Sequence, residues 1–99
     1  RHAAPVQILF LGAYGVRKGV YDLLDAIGQV RNEGHDVRVR IVGPPEFPDE
    51  TERLAAAVRD RDLTDAVALI GPVPSDDVSR ELREADIFCL PSYREGLPR

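Results

Sequence analysis

The hydrophobic positions along the chain change period repeatedly. Val6–Leu11 form a nearly continuous apolar run ended by Gly12, which is typical of a strand covered on both faces in a parallel sheet. From Gly19 to the stop at Gly34, apolar residues recur at helical spacing and charged residues lie on the opposite side. This pattern predicts an amphipathic helix of about four turns. The chain therefore opens with a strand followed by a helix.

A second strand and a second helix follow in the same way. Val37–Val42 alternate with Arg38 and Arg40, which predicts a strand with one partly covered face, lying nearer an edge of the sheet. Acids come first in residues 49–62 and an apolar stripe follows, so a helix is predicted there. Residues 67–70 predict the third strand, closed by glycine and proline.

The last helix and strand carry the clearest end signals. Ser75 is predicted to be the N-cap of a helix with Asp76 and Asp77 in its first turn. Negative side chains there interact favourably with the positive end of the helix dipole. Its apolar stripe consists of Val78, Leu82 and Ala85. The apolar residues 87–90 predict a fourth strand, ended by proline and serine.

The resulting order, β-α-β-α-β-α-β, predicts an α/β fold of the Rossmann-like type. An open parallel sheet would lie between two helical layers, in a three-layer αβα arrangement with right-handed crossovers. With strand order 3-2-1-4, strands one and four are neighbours whose helices leave to opposite faces, so a crevice opens at their carboxyl ends. We therefore expect the functional residues to follow Leu11 and Leu90.

Composition narrows the class of protein. Ninety-nine residues suit one domain, and the net charge of −4 without a basic run argues against nucleic-acid binding. No apolar run is long enough for a transmembrane segment. We expect a cytoplasmic location, with peripheral attachment to a membrane through the parent protein left open.

The single cysteine, Cys89, lies in an apolar run and is predicted to pack as a small core residue. Because the chain lacks methionine and stops just after a turn, we expect it to be part of a longer protein.

The loop after the first strand has the chemistry of an anion site. It contains Gly12, Arg17 and Lys18 and leads directly into the first helix. Glycine lets the backbone approach a ligand, the helix N-terminus offers free N–H groups, and Lys18 adds a full charge. The glycine spacing matches neither the dinucleotide-binding fingerprint nor the P-loop. An ordinary turn with two solvated bases remains the alternative.

The loop after the fourth strand has the opposite character. It contains Glu95, followed by Gly96 and Leu97. A carboxylate would repel phosphate but accepts hydrogen bonds from hydroxyl groups such as those of a sugar. A solvated loop acid is the alternative interpretation. Phosphate on one side of the crevice and sugar on the other would together indicate a nucleotide-sugar.

Several segments together resemble a known family. In chain order they are Phe10-Leu11-Gly12, Arg17-Lys18-Gly19-Val20-Tyr21-Asp22-Leu23-Leu24, Ile41-Val42-Gly43, Leu69-Ile70-Gly71-Pro72-Val73, Ala85-Asp86-Ile87-Phe88-Cys89-Leu90-Pro91-Ser92 and Glu95-Gly96. In order and spacing they resemble the retaining glycosyltransferases of family 4, the glycosyl transferases group 1, which have the GT-B fold. The resemblance spans nearly the whole chain.

This resemblance implies roles for particular residues. Residues 1–99 would be the N-terminal part of the C-terminal, nucleotide-sugar-binding domain, and an absent N-terminal domain would bind the acceptor. Lys18 would contact the donor diphosphate and Glu95 the donor sugar, which makes these two the catalytic candidates. Val73 would lie by the nucleobase. The donor would be a nucleoside diphosphate sugar, no cofactor would be needed, and a metal would not be required because basic side chains and helix-end amides neutralise the charge.

Two departures from the family pattern bear on activity. Ala13 stands where the family commonly has an arginine that contacts the diphosphate, and Arg17 is the candidate to compensate. A second glutamate, eight residues after Glu95, would fall beyond Arg99. From the resemblance, we expect the parent to be a hexosyltransferase-type enzyme that retains anomeric configuration. Because these 99 residues contain only one of the two glutamates, we expect them to bind donor at most.

Alternatives stay open at this stage. One is a parent that has lost activity but kept the fold. Another is a non-catalytic α/β nucleotide-binding or receiver-like module, although a receiver needs acids at the end of the first strand, where Gly12 and Ala13 stand. The unpaired edge of strand four also predicts self-association.

Overall fold

The computed structural model describes residues 5–12, 18–45 and 47–89, and every structural statement below refers to these ranges. The elements in chain order are β1 (Val6–Leu11), α1 (Lys18–Asn32), β2 (Val37–Val42), α2 (Glu50–Asp60), β3 (Val67–Gly71), α3 (Ser75–Glu84) and β4 (Ile87–Cys89). No helix in these ranges combines the length and the apolar character needed to cross a membrane.

The strands form one parallel sheet with the order β3-β2-β1-β4. The predicted α/β, Rossmann-like fold and its strand order are therefore confirmed. β1 pairs along its whole length with β2, from Val6 opposite Val37 to Leu11 opposite Val42. Its pairing with β4 covers only three positions, from Ile8 opposite Ile87 to Phe10 opposite Cys89.

One face of the sheet carries the hydrophobic core. Alternate residues of β1 and β2 pack there against α1 and α2, because side chains two apart on a strand share a face. Among its best-buried members are Val20, Leu24, Val39, Ile41 and Leu54, each at most 2% exposed. Val20 and Leu24 of α1 belong to the stripe that the helical spacing predicted.

The second strand is an interior strand, one position from the β3 edge, as the predicted order 3-2-1-4 requires. β2 is hydrogen-bonded to β1 on one side and to β3 on the other. Arg38 is exposed, and the Arg40 guanidinium binds Glu81 of α3. The alternating arginines therefore lie on the face of the sheet that α3 covers only partly, and they do not indicate whether β2 is an edge or an interior strand.

Two predictions for α3 fail. Ser75 is the first helical residue, and the N-cap is Pro74, whose backbone is extended and which offers no side-chain cap. None of the residues of α3 is buried, and Leu82 of the predicted stripe is 40% exposed. Helical spacing shows which residues share a face of α3, but the sheet opposite that face presents arginines instead of a continuous apolar surface.

β4 is less covered than its apolar sequence predicted. Ile87 and Phe88 are 49% and 45% exposed, respectively. Cys89 is partly buried and packs against the core, which agrees with its predicted packing role. Leu90, the predicted end of the strand, lies outside the described residues.

Candidate functional site

Three adjacent strands end in glycine at the carboxyl edge of the sheet. Gly12 follows β1, Gly43 follows β2 and Gly71 ends β3, with φ angles of 140°, 144° and 83°. Side-chain-bearing residues rarely adopt such angles, whereas glycine does so at little cost. We call these three residues the glycine shelf.

Backbone hydrogen bonds hold the shelf together. The N–H of Gly12 donates to the carbonyl of Val42 at 3.0 Å, and the N–H of Gly43 donates to the carbonyl of Gly71 at 2.9 Å. The backbone connection between adjacent strands therefore continues past the end of β1 and β2. The three glycines form a stretch of the edge that has no side chains.

Gly12 and Gly43 lie so close that residue 43 has no room for a side chain. A Cβ atom on residue 43 would collide with the carbonyl oxygen of Gly12 and lie 2.7 Å from its carbonyl carbon. A Cβ on residue 71 would meet nothing within 4 Å. Glycine is therefore required at position 43 by both space and conformation, but at position 71 by conformation alone.

α1 starts at this same edge, since helix N-termini and strand carboxyl ends lie together in a parallel α/β fold. Its first turn contains no acid, whereas α2 and α3 have acids in theirs, namely Glu50, Glu52, Asp76 and Asp77. The first N–H groups of a helix lack intrahelical partners and carry the positive end of its dipole. Among the three described helices, α1 is thus the one whose first turn leaves this charge free for an external anion.

The predicted site residues divide into two groups. Gly12, the backbone of Lys18 at the start of α1, and the partly exposed Val73 between β3 and α3 all lie at the carboxyl edge. The side chain of Lys18 lies outside what the structure describes, as do residues 13–17 and 90–99. Those ranges contain Arg17, Glu95, Gly96 and Leu97, whose roles stay predictions.

Sequence reasoning missed two members of the shelf. Gly43 and Gly71 were interpreted only as residues that end strands. The available signal was that three successive apolar runs, all of which become neighbouring strands, each finish in glycine. The close approach of Gly43 to Gly12 could not be predicted from the sequence, because this distance depends on how β1 and β2 pair.

Glu50 is a second feature that the sequence did not reveal. It lies in the first turn of α2, at the carboxyl edge, and is only 1% exposed. Among the described residues, one carboxylate oxygen, Oε1, has no hydrogen-bond partner, and Oε2 is 3.9 Å from Nη1 of Arg53. An acid at this position was interpreted as a helix-start signal, which does not distinguish a solvated carboxylate from a buried one.

The other face of the sheet carries a polar contact instead of an apolar one. Arg40 donates from Nε and Nη2 to the two carboxylate oxygens of Glu81, at 2.8 and 2.7 Å. The hydrogen bond from Arg40 lowers the pKa of Glu81, and the same bond raises the pKa of Arg40. A cavity of about 320 Å³, lined partly by this pair and by Glu84, lies beside it. It extends to Ala85, at the amino edge, so it is separate from the shelf.

The chain is similar to known glycosyltransferases. The family model described as glycosyl transferases group 1 matches residues 5–99. The chain is 33% identical over 100 residues to the amylovoran biosynthesis glycosyltransferase AmsK of Erwinia amylovora, covering 95% of this chain and 24% of that protein. It is 32% identical over 102 residues to a putative colanic acid biosynthesis glycosyltransferase, WcaL, of Escherichia coli K12, covering 97% and 24%.

A third relative and a solved structure are also glycosyltransferases. The chain is 34% identical over 89 residues to the phosphatidyl-myo-inositol mannosyltransferase of Mycobacterium tuberculosis H37Rv, covering 86% of this chain and 21% of that one. The lipopolysaccharide outer core galactosyltransferase WaaB in its apo form superposes with a TM-score of 0.62 at 18% identity, over 86% of this chain and 23% of that chain. This last likeness shows the fold alone. The chain spans about a quarter of the length of these first two relatives.

The fold alone does not identify the family. A family model that matches residues 5–99, together with relatives at about one-third identity, does identify it. The chain belongs to the glycosyl transferases group 1 family.

Proposed function

We propose that this chain forms part of the donor pocket of a glycosyltransferase that takes a sugar from a nucleoside diphosphate. The observation that supports this most directly is the glycine shelf beside a helix N-terminus free of acids. Such an edge offers backbone contact and positive charge to a diphosphate. Membership of a glycosyltransferase family provides the class of reaction.

The proposed chemistry centres on the leaving group. As the bond from sugar to diphosphate breaks, negative charge grows on the diphosphate. The first amides of α1 and the ammonium of Lys18 would stabilise that charge, which is the kind of interaction that lowers a barrier most. Arg17 is proposed as the second cation, in place of the family arginine that Ala13 replaces. These groups make a metal unnecessary in our proposal, and no cofactor is assigned.

The rest of the donor would extend along the same edge. Val73, in the connection from β3 to α3, is proposed to lie by the nucleobase. Glu95 would accept hydrogen bonds from the sugar hydroxyls, with Gly96 and Leu97 beside it. The sugar would be transferred with retention at the anomeric carbon. We assign no nucleophile.

The acceptor is proposed to bind to a domain outside these 99 residues, which would precede them in the parent protein. The residues described by this sequence would then be the N-terminal part of the donor-binding domain and would not transfer sugar by themselves. The parent is proposed to work in the cytoplasm or peripherally at a membrane surface.

A titration of the chain with UDP-, GDP- and ADP-sugars, followed by backbone amide shifts, tests donor binding. We expect one nucleotide-sugar to shift the amides of Gly12, Lys18 and Val73. Lys18 is the only lysine in the chain, so Lys18→Ala removes one defined charge and should abolish the shifts. Arg38→Ala, which removes an exposed cation from β2, is the matched control and should bind like wild type. An absence of shifts with all three ligands would contradict the proposal.

The replacement of the family arginine by Ala13 supports a second candidate, a parent that binds donor without transferring it. Both candidates predict the amide shifts, but only an active parent consumes the nucleotide-sugar when acceptor is present. A receiver-like module has lost its support, because the chain belongs to a glycosyltransferase family.

We also propose a second copy of the chain as a partner for β4. Within the described residues, β4 pairs with β1 alone, and Ile87 and Phe88 are half exposed. Unpaired backbone groups beside apolar side chains favour edge-to-edge pairing.

A further inference from the structure

The last strand of the described sheet is attached by little apolar burial. β4 has three residues, of which Ile87 and Phe88 remain about half exposed. A slip of one residue would exchange the faces of these two side chains. Since both are apolar and almost equally exposed, burial alone distinguishes poorly between the two registers.

A polar contact distinguishes between the two registers of β4 against β1. The backbone N–H of Gln7 donates to Oδ2 of Asp86 at 2.8 Å, and the N–H of Asp86 donates to the carbonyl of Gln7 at 2.7 Å. One residue before β4 thus satisfies both backbone groups of one residue in β1. No other position of β4 along β1 would place this carboxylate opposite Gln7.

The carboxylate occupies the place of a backbone acceptor. In a regular parallel ladder, the N–H of Gln7 would bond to a main-chain carbonyl of the neighbouring strand. α3 ends at Glu84, and Ala85, the one residue between α3 and Asp86, already has an extended backbone. The Gln7 N–H nevertheless donates to the Asp86 carboxylate, and a carboxylate acceptor makes a stronger hydrogen bond than a neutral carbonyl.

We infer that Asp86 is a positioning residue that sets the register of β4 against β1. The inferred register places Cys89 opposite Phe10, two residues before Gly12 of the glycine shelf. One step along a strand is about 3.3 Å, which is enough to break any contact made from both strands to one ligand. The functional consequence rests on the proposed donor pocket, because Glu95 follows β4 in the chain.

The register itself is tested by amide hydrogen exchange and backbone nuclear Overhauser effects. In Asp86→Ala we expect the Gln7 amide to exchange about tenfold faster or more, as loss of a charge-assisted hydrogen bond implies. The contacts that pair Leu9 with Phe88 should weaken or move to a neighbouring residue. Asp86→Asn retains an acceptor oxygen and should restore both signals. Asp60→Ala removes an exposed acid at the end of α2 and should change neither.

Donor affinity provides the readout that a purely structural contact would leave unchanged. We expect Asp86→Ala to weaken nucleotide-sugar binding about tenfold, while Asp86→Asn binds within a small factor of wild type. If Asp86→Ala keeps a protected Gln7 amide and the wild-type pairing, the inference is overturned. Should the alanine variant not fold, Asp86→Asn decides, because a Gln7 amide that loses its protection although an acceptor oxygen is retained would also overturn it. If wild type binds no nucleotide-sugar but Asp86→Ala shifts the register, the proposed function fails and the positioning role stands.

Discussion

The carbonyl oxygen of Gly12 occupies the space in which a Cβ atom of residue 43 would lie. This contact joins the ends of two neighbouring strands that are far apart in the chain. At this point the carboxyl edge of the sheet is therefore formed by backbone atoms without side chains, and substitutions of its glycines should change the stability of the chain.

Gly43→Ala should destabilise the chain by at least about 2 kcal/mol, because it combines a strained φ angle with a clash against Gly12. Urea unfolding measures the loss. Gly28→Ala is the control, since a Cβ there meets nothing within 4 Å and the residue lies inside α1. That variant should gain up to about 1 kcal/mol through helix propensity. Equal stabilities for the two variants would contradict the close approach.

Gly71→Ala separates strain from clash. Its φ of 83° is unfavourable for alanine, but the added Cβ enters open space. We expect a loss of about 1 kcal/mol, smaller than that of Gly43→Ala. If residue 71 proves the more sensitive of the two in the same urea experiment, space is not what distinguishes the members of the shelf.

The Arg40–Glu81 pair predicts a pH dependence. The hydrogen bond from Arg40 holds the pKa of Glu81 below its ordinary value of 4.5. The pair therefore contributes its full stability above pH 4.5, and the contribution is lost as the pH falls through the lower pKa of the folded state. Wild type should exceed Glu81→Gln in unfolding free energy by about 1 kcal/mol at neutral pH, the scale of a partly exposed pair.

The measurement is the unfolding free energy of both proteins between pH 3 and about pH 7. The difference between them should shrink steadily below pH 4.5. Glu84→Gln, on the same helix but without the bidentate contact to Arg40, is the control. A difference between wild type and Glu81→Gln that does not change with pH would show that the charge of Glu81 is irrelevant to the docking of α3.

Glu50 should tolerate an apolar replacement. Its carboxylate is buried, one oxygen is unpartnered, and the other is only distantly paired with Arg53. Removing a poorly satisfied buried charge offsets the lost helix-dipole interaction. We expect Glu50→Leu to change the unfolding free energy by less than about 1 kcal/mol in either direction. Glu52→Leu, at an exposed site in the same turn, is the comparison.

A loss well above that limit for Glu50→Leu alone would show that the carboxylate has a stabilising partner. Thermal unfolding of the two variants side by side is sufficient to decide this, because they differ in burial and share the same helix turn.

Self-association through β4 should respond to charge on the strand. Phe88→Lys places a cation beside the free edge, where it opposes pairing with another chain. Sedimentation velocity should show a concentration-dependent dimer for wild type and a monomer for this variant. Leu82→Lys removes a similarly exposed apolar residue from α3 and should leave the dimer intact. A wild-type protein that remains monomeric at high concentration would contradict the proposed interface.

Local patterns were sufficient for the elements and their order. The apolar run of β1 and the helical stripe of Val20 and Leu24 specified a strand and a helix, because burial on a given face requires that period. Repetition of strand and helix then favoured a parallel sheet, and the Rossmann order 3-2-1-4 considered for it is the order found. The carboxyl edge as the place of the site follows from that topology.

Contacts between elements decided the rest. Whether Arg40 faces solvent, an edge or Glu81 depends on which helix covers its side of the sheet. The burial of Glu50 depends on how α2 docks, and the need for glycine at position 43 arises only when β2 pairs with β1 in register. The sequence by itself therefore determined the periodic elements and the edge that carries the site. Only the tertiary structure decided which backbone and side-chain atoms meet there, because those distances depend on residues remote in the chain.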